Sequence, residues 1–203
     1  MKKQEQFSVL NLTRQDVPIV TEDTKTRYQW VTVGILDQDD YFGMVTEAYN
    51  TSTTNAACVE GVADLIYGKG IFTHEGKEKQ KQLDKVVPPE DLRRITFDLK
   101  LYGNAAWQVI WNKSHTQILR MYHMPVQNLR AKKIEHMGRI EGYYYSSDWS
   151  DHRRQKEKTY LPVFGSSNQE IEILYVKEYE PNRYYYSLPD WISALQFSFS
   201  EAE

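Results

Sequence analysis

Cysteine is almost missing from this 203-residue chain: Cys58 stands alone, so no disulfide can form within it. That fits synthesis in a reducing compartment. No run approaches the roughly 18 to 20 apolar residues that a membrane span needs. The start "MKKQEQFSVL" is basic but carries no apolar core, so it does not read as a secretion signal. A basic excess is also missing. With 25 Lys and Arg against 28 Asp and Glu, the net charge of −3 argues against a dedicated nucleic-acid binder. What the chain does have is apolar and aromatic content, 40% and 13%, enough to bury a core in one domain with an appended arm.

The motifs of common chemistries fail one by one. "DQDDYFG" (37–43) offers acidic residues at the start of a calcium loop. The loop's fifth, sixth and twelfth positions, however, are Tyr41, Phe42 and Ala48 instead of oxygen donors and glycine. "GKGIFTHEGKEKQKQ" resembles a phosphate loop, but five residues separate Gly70 from Gly76 and Glu78 follows Lys77. It reads as a polar loop with a solvated charged face. The histidines at 74, 115, 123, 136 and 152 show no zinc-type spacing, and His123 reads as a hydrogen-bonded structural residue. "FGSSN" lacks the second glycine of a nucleophile elbow. Glu178 and Glu180 alternate as a solvent-facing row would. The basic run "DHRRQKEK" (151–158), close behind Tyr143 to Tyr145 and Trp149, is broken by Asp151 and Glu157 and reads as a mixed-charge loop. No cofactor or metal is expected, and no catalytic residue can be named.

The pattern that remains is architectural. Residues 1–40 read as an extended arm with a strand from Tyr28 to Leu36. Ser52 to Thr54 cap a helix whose face is Ala56, Val59, Val62, Ala63 and Ile66, and Gly68 and Gly70 stop it. A second helix starts at Pro89, with Glu90 and Asp91 toward the positive end of its dipole, and carries a stripe of Leu92, Ile95, Leu99 and Tyr102. Gly103-Asn104 ends it sharply. Residues 105–111 and 118–123 then form a hairpin across "NKSHTQ", closed by Pro125. Short strands follow in "GYYYSSDW", "TYLPVF" and "EIEILYVKEYEP". A turn and a helix start at Pro189 come last. There is no internal repeat. The expected fold is α+β: a small mixed or antiparallel sheet with two main packed helices.

In their order, these segments resemble the N-terminal half of the portal proteins of tailed bacteriophages, over about residues 41–195. In that family the wing region is marked by a helix turning through Gly-Asn into a strand, a strand end like Leu-Tyr-His-Leu-Pro, and a late Tyr-Tyr-x-x-Pro-x-Tyr/Trp turn. Here the matching segments run from Leu101 to Trp111 (through Gly103 and Asn104), from Met121 to Pro125, and from Tyr185 to Trp191 (with Pro189). The resemblance implies a portal wing-like domain over 41–203 behind the arm, structural and not enzymatic. It would form a ring with copies of itself at one capsid vertex. Its partners would be the terminase, capsid or scaffold proteins and head–tail adaptors, with DNA passing non-specifically. Localisation would be the virion, assembled in the bacterial cytoplasm. Mild acidity suits a conduit, since each basic phosphate contact would add salt-sensitive grip. The family's stem, clip and crown have no counterpart in this sequence, so the isolated chain is expected to form no complete channel. The rival reading is a stand-alone binding module with Trp107, Trp111, Trp149 and the tyrosines as a ligand face.

Overall fold

A computed structural model describes residues 19–35, 38–135, 138–149, 158–195 and 198. Among the described residues, four α-helices and three small antiparallel sheets make up an α+β fold. Strands β1 (Val20–Asp23) and β2 (Thr32–Ile35) form a hairpin. Strand β2 starts later than the expected 28–36, because Trp30 only bridges to Lys132 while Val31 N–H donates to Ala131 O at 2.9 Å; Leu36 lies outside the described residues. Val20, Trp30, Val31 and Val33 are buried, so the described part of the expected arm is bound into the core.

Helix α1 (Tyr41–Thr51), absent from the sequence reading, buries Tyr41, Phe42, Val45 and Ala48 at helical spacing. Helix α2 (Thr53–Tyr67) follows a one-residue break at Ser52, whose hydroxyl accepts the Asn55 amide at 3.0 Å. Gly68 (φ +55) ends it as expected. Its packing face is narrower than expected: Val59 and Ala63 are buried, but Val62 and Ile66 are exposed. The segment whose sequence reads as a polar loop contains helix α3 (Lys77–Val86), which buries none of its residues fully. Gln80 holds it in place, with its side chain accepting from Thr73 N–H (2.9 Å) and donating to Ile71 O (3.2 Å) and Asp84 (2.7 Å).

Helix α4 (Pro89–Tyr102) lies along α2, with Arg93 paired to Asp64 (2.8 Å) and set over the Tyr67 ring. It runs straight into β3 (Asn104–Trp111), the middle strand of the sheet β4-β3-β8, with β4 at Ile118–Met124 and β8 at Ile171–Lys177. Both faces of β3 are covered. Ala105, Trp107 and Val109 pack with Ile95 of α4, while Ala106 joins the main core. The third sheet comprises β5 (Leu129–Ala131), β6 (Gly142–Tyr145) and β7 (Thr159–Pro162). At the end of the described chain, Pro189 opens a turn that leads through a 3-10 turn (Ile192–Ala194) to helical backbone at Leu195, so the helix starts later than the expected Pro189.

Candidate functional site

Five of the six residues singled out by sequence gather where α4 meets the segment 184–191. The helix ends because Gly103 takes φ +71, ψ 3, and its N–H closes on Leu99 O at 2.9 Å. A second constraint acts on the same residue. An added Cβ would lie 2.6 Å from the Leu188 carbonyl carbon and 2.8 Å from Pro189 N. Glycine is therefore required twice here, by conformation and by space.

Asn104 is fully buried and works as a clasp. Its side-chain amide donates to Tyr102 O and Ser187 O, both at 2.7 Å, and its side-chain oxygen accepts the Ser187 amide at 2.9 Å. The clasp copies strand pairing between segments 83 residues apart. Tyr102 O also accepts the Tyr41 hydroxyl at 2.7 Å, which ties α1 to the same point.

The 184–191 segment is held from its other side as well. The carboxylate of Glu22 on β1 accepts three successive amides, those of Tyr184 (3.2 Å), Tyr185 (3.0 Å) and Tyr186 (2.8 Å). Three converging N–H groups form a backbone nest for an anion, and this chain fills it with its own side chain. The buried Tyr186 hydroxyl donates to Val31 O (3.0 Å) and accepts from Ala131 N (2.9 Å), while Tyr185 Oη accepts from Ile134 N (3.1 Å). Burial pushes the Tyr186 phenol above its ordinary pKa. Trp191 donates its indole N–H to Lys100 O (3.2 Å), and Lys100 pairs with Asp190 at 2.6 Å. Pro125 stands elsewhere: it ends β4, and its carbonyl accepts the Asn128 amide.

The acidic residues of the failed calcium loop have structural work that spacing could not reveal. Asp39 forms a two-oxygen contact with Arg130 Nε, both at 2.9 Å, and each side chain is 4% exposed. The Arg130 guanidinium lies against the rings of Phe42 and Trp149. Glu172 is wholly buried. Burial alone would raise its pKa, but the amides of Gly165 (2.9 Å) and Ser167 (3.1 Å), the Ser167 hydroxyl (2.9 Å) and the Trp111 indole (2.9 Å) hold it lower.

His123 donates or accepts across 2.7 Å to Asp98, whose carboxyl is raised by burial against that hydrogen bond. His115 stacks on Trp111 and His74 sits edge-on to Phe72, so the three described imidazoles lie in different surroundings. His136, His152 and residues 151–157 of the basic run lie outside the described residues. Among the described residues, no three His, Cys, Asp or Glu side chains come together as metal ligands would. No helix there is long and apolar enough to cross a membrane. The junction can hold two distant chain segments in fixed register.

No family model and no curated protein matches this chain. Among solved structures it is similar to a chain of the neck of an empty gene transfer agent (GTA) particle, in a reconstruction computed with C6 symmetry. The two are 12% identical with a TM-score of 0.55, over 80% of this chain and 42% of that one. A chain from the virion of the native GTA particle is similar at 12% identity and a TM-score of 0.52, over 80% and 41%. This chain thus spans less than half the length of either neighbour. At such identity the likeness is one of fold, and that fold is shared with chains of GTA neck and virion.

Proposed function

We propose that the chain is a structural subunit of a phage-like particle. In this reading it is the wing-like part of a portal that forms a ring with its own copies at the capsid vertex, where DNA is packaged and head joins tail. The observation that carries the reading is the shared fold with GTA neck and virion chains over 80% of the chain. The sequence resemblance to portal wings, reached on other grounds, supports it. So does the environment of the indoles that a ligand-binding module would present. Trp107 is 6% exposed, Trp111 lies between His115 and Phe164, and Trp149 lies against Arg130 and Lys158. The role proposed is non-catalytic, with the terminase, capsid or scaffold, and head–tail adaptor proteins as partners.

An epitope-tagged chain, expressed from its native locus during particle production, should co-sediment with particles. Gold label should then mark one vertex per particle. Label spread over the whole shell, or a chain left entirely in the soluble fraction, would rule the reading out.

A further inference from the structure

Asp39, Asp98 and Glu172 carry deeply buried carboxylates, and the chain satisfies them unequally. Asp39 has the Arg130 guanidinium, and Glu172 has four N–H and O–H donors that hold its pKa down. Asp98, whose side chain is 10% exposed, has the Val126 amide and the His123 ring at 2.7 Å. Among the described residues no lysine or arginine pairs with it, and burial raises its pKa. A carboxylate taken out of water without a full counter-charge is costly, so a cation brought to Asp98 from outside would be well placed to offset that cost.

Asp98 also borders a cavity. A space of about 340 Å³ lies between α2 and α4, mostly apolar in its wall, with Ala63 and Phe97 beside Thr96, Asp98 and His123 of β4. That volume, at the small end for ligand pockets, suits one chain of a few carbons. The inner polar groups offer acceptors. Thr96 Oγ1 has already given its hydrogen to Arg93 O (2.8 Å) and keeps its lone pairs. An ionised Asp98 can only accept, so His123 Nε2 carries the hydrogen between them. Neutral Nδ1 then keeps a lone pair, with no partner among the described residues. The two arginines of the lining are already engaged, Arg93 with Asp64 and the Tyr67 ring, Arg94 with Asp91 at 3.3 Å. Three carboxylates of the lining, those of Glu60, Asp64 and Asp98, outnumber them.

We propose that this cavity binds a primary alkylammonium ion, its carbon chain along Ala63 and Phe97 and its charged head at Asp98, His123 Nδ1 and Thr96 Oγ1. The three N–H donors of an ammonium group match those acceptors in kind and number, and its compact charge is the counter-charge that Asp98 lacks. A guanidinium brings five donors in a plane and would leave some unsatisfied. A carboxylate would meet acceptors and like charge. A lysine side chain and a free amine share the chemistry required, an apolar stem with a cationic tip. The site does not depend on the portal reading.

Pentylamine, pentanol and pentanoate share a carbon chain and differ in the head group, so they separate charge from fit. Each is titrated at neutral pH into the full chain carrying isotope-labelled histidine. Pentylamine should shift the His123 Nδ1 resonance, which is assigned by its loss in His123→Gln. It should bind about tenfold more tightly than pentanol, and pentanoate should bind most weakly. Asp98→Asn keeps the shape and removes the charge. It should weaken pentylamine binding about tenfold and leave pentanol nearly unchanged. Should circular dichroism show that this variant does not fold, Thr96→Val decides in its place: loss of the hydroxyl acceptor should weaken pentylamine binding about fivefold, and no loss would overturn the proposal. A lysine blocked as its acetyl methylamide carries the same ammonium group on a peptide unit. If it binds like pentylamine, the occupant is a protein lysine; if pentylamine alone binds, it is a free amine. Equal affinity for the three pentyl probes, tightest binding by pentanoate, no binding of pentylamine, or undiminished pentylamine binding by folded Asp98→Asn would each overturn the assignment.

Discussion

Two helices in this molecule end at a glycine with positive φ, and what surrounds each glycine differs completely. At Gly103 (φ +71) the chain is enclosed: a Cβ would overlap the Leu188 backbone at 2.6 Å, and buried Asn104, Ser187 and Tyr102 satisfy one another's polar groups. At Gly68 (φ +55) the nearest atom to such a Cβ is Leu65 O at 3.7 Å, and apolar side chains stand in solvent on both sides. The first corner uses its hydrogen bonds to fix one conformation of the chain. The second leaves apolar surface unburied, which folding alone does not explain.

Valine at each glycine gives the largest and most direct test of that contrast. Gly68→Val meets conformational strain alone, about 3 kcal/mol, because φ +55 with ψ −115 lies outside even the left-handed helical region. Gly103→Val meets left-handed strain of about 2 kcal/mol and, in addition, overlap with backbone that cannot rotate away, for a total of about 5 kcal/mol. Urea unfolding followed by tryptophan fluorescence would measure both. Equal losses at the two positions would show that the Gly103 corner is not closed in solution.

The asymmetry also explains which parts were legible beforehand. Pro89, the acidic first turn, the Ile95 stripe and Gly103-Asn104 are local signals, and α4 with its hairpin appears where they place it. Helix α1 had a signal that went unused: Tyr41, Phe42, Val45 and Ala48 keep helical spacing, but they sit behind "DQDD" and include Gly43 among them. Helix α3 had almost none. Leu83 is its only apolar residue before Val86, and the Gln80 side chain anchors it instead of a stripe. The clasp between Asn104 and Ser187, the Glu22 nest and the Asp39–Arg130 pair join residues 83 to 164 positions apart. No periodicity encodes such partners. The resemblance to portal wings put Gly103 and Pro189 in one family pattern, but only coordinates put them in contact.

Within the closed corner, Asn104→Ala removes a clasp without touching the glycine. It leaves the Ser187 amide and carbonyl buried without their partner, so a loss of about 3 kcal/mol is expected in the same unfolding experiment. A loss below about 1 kcal/mol would mean that water replaces the side chain and that the corner is more open than its burial suggests.

Glu172 tests whether the polar closure extends to the far end of β8. Its folded pKa is lowered, so its contribution to stability is complete above the ordinary carboxyl value of 4.5 and fades as pH falls through the lower folded value. Glu172→Gln should cost about 2 kcal/mol at neutral pH, because an amide group replaces an oxygen that accepts from N–H donors. In unfolding curves taken from pH 6 down to pH 3, the gap between wild type and variant should stay constant to about pH 5 and then narrow as pH falls below 4.5. A gap independent of pH would show that the charge is not what holds the Gly165–Ser167 turn.

The smallest expected effect on folding is the most informative about the open corner. Leu65 is 80% exposed, and glutamate is close to leucine in helix propensity, so Leu65→Glu should shift unfolding free energy by no more than about 0.5 kcal/mol. If α2 were instead folded against another part of this same chain in solution, burying Leu65, the substitution would place a charge in an apolar contact and cost several times more. A near-zero cost in unfolding would separate the two corners: the Gly103 corner closes on buried backbone, and the Gly68 corner leaves its apolar side chains in solvent.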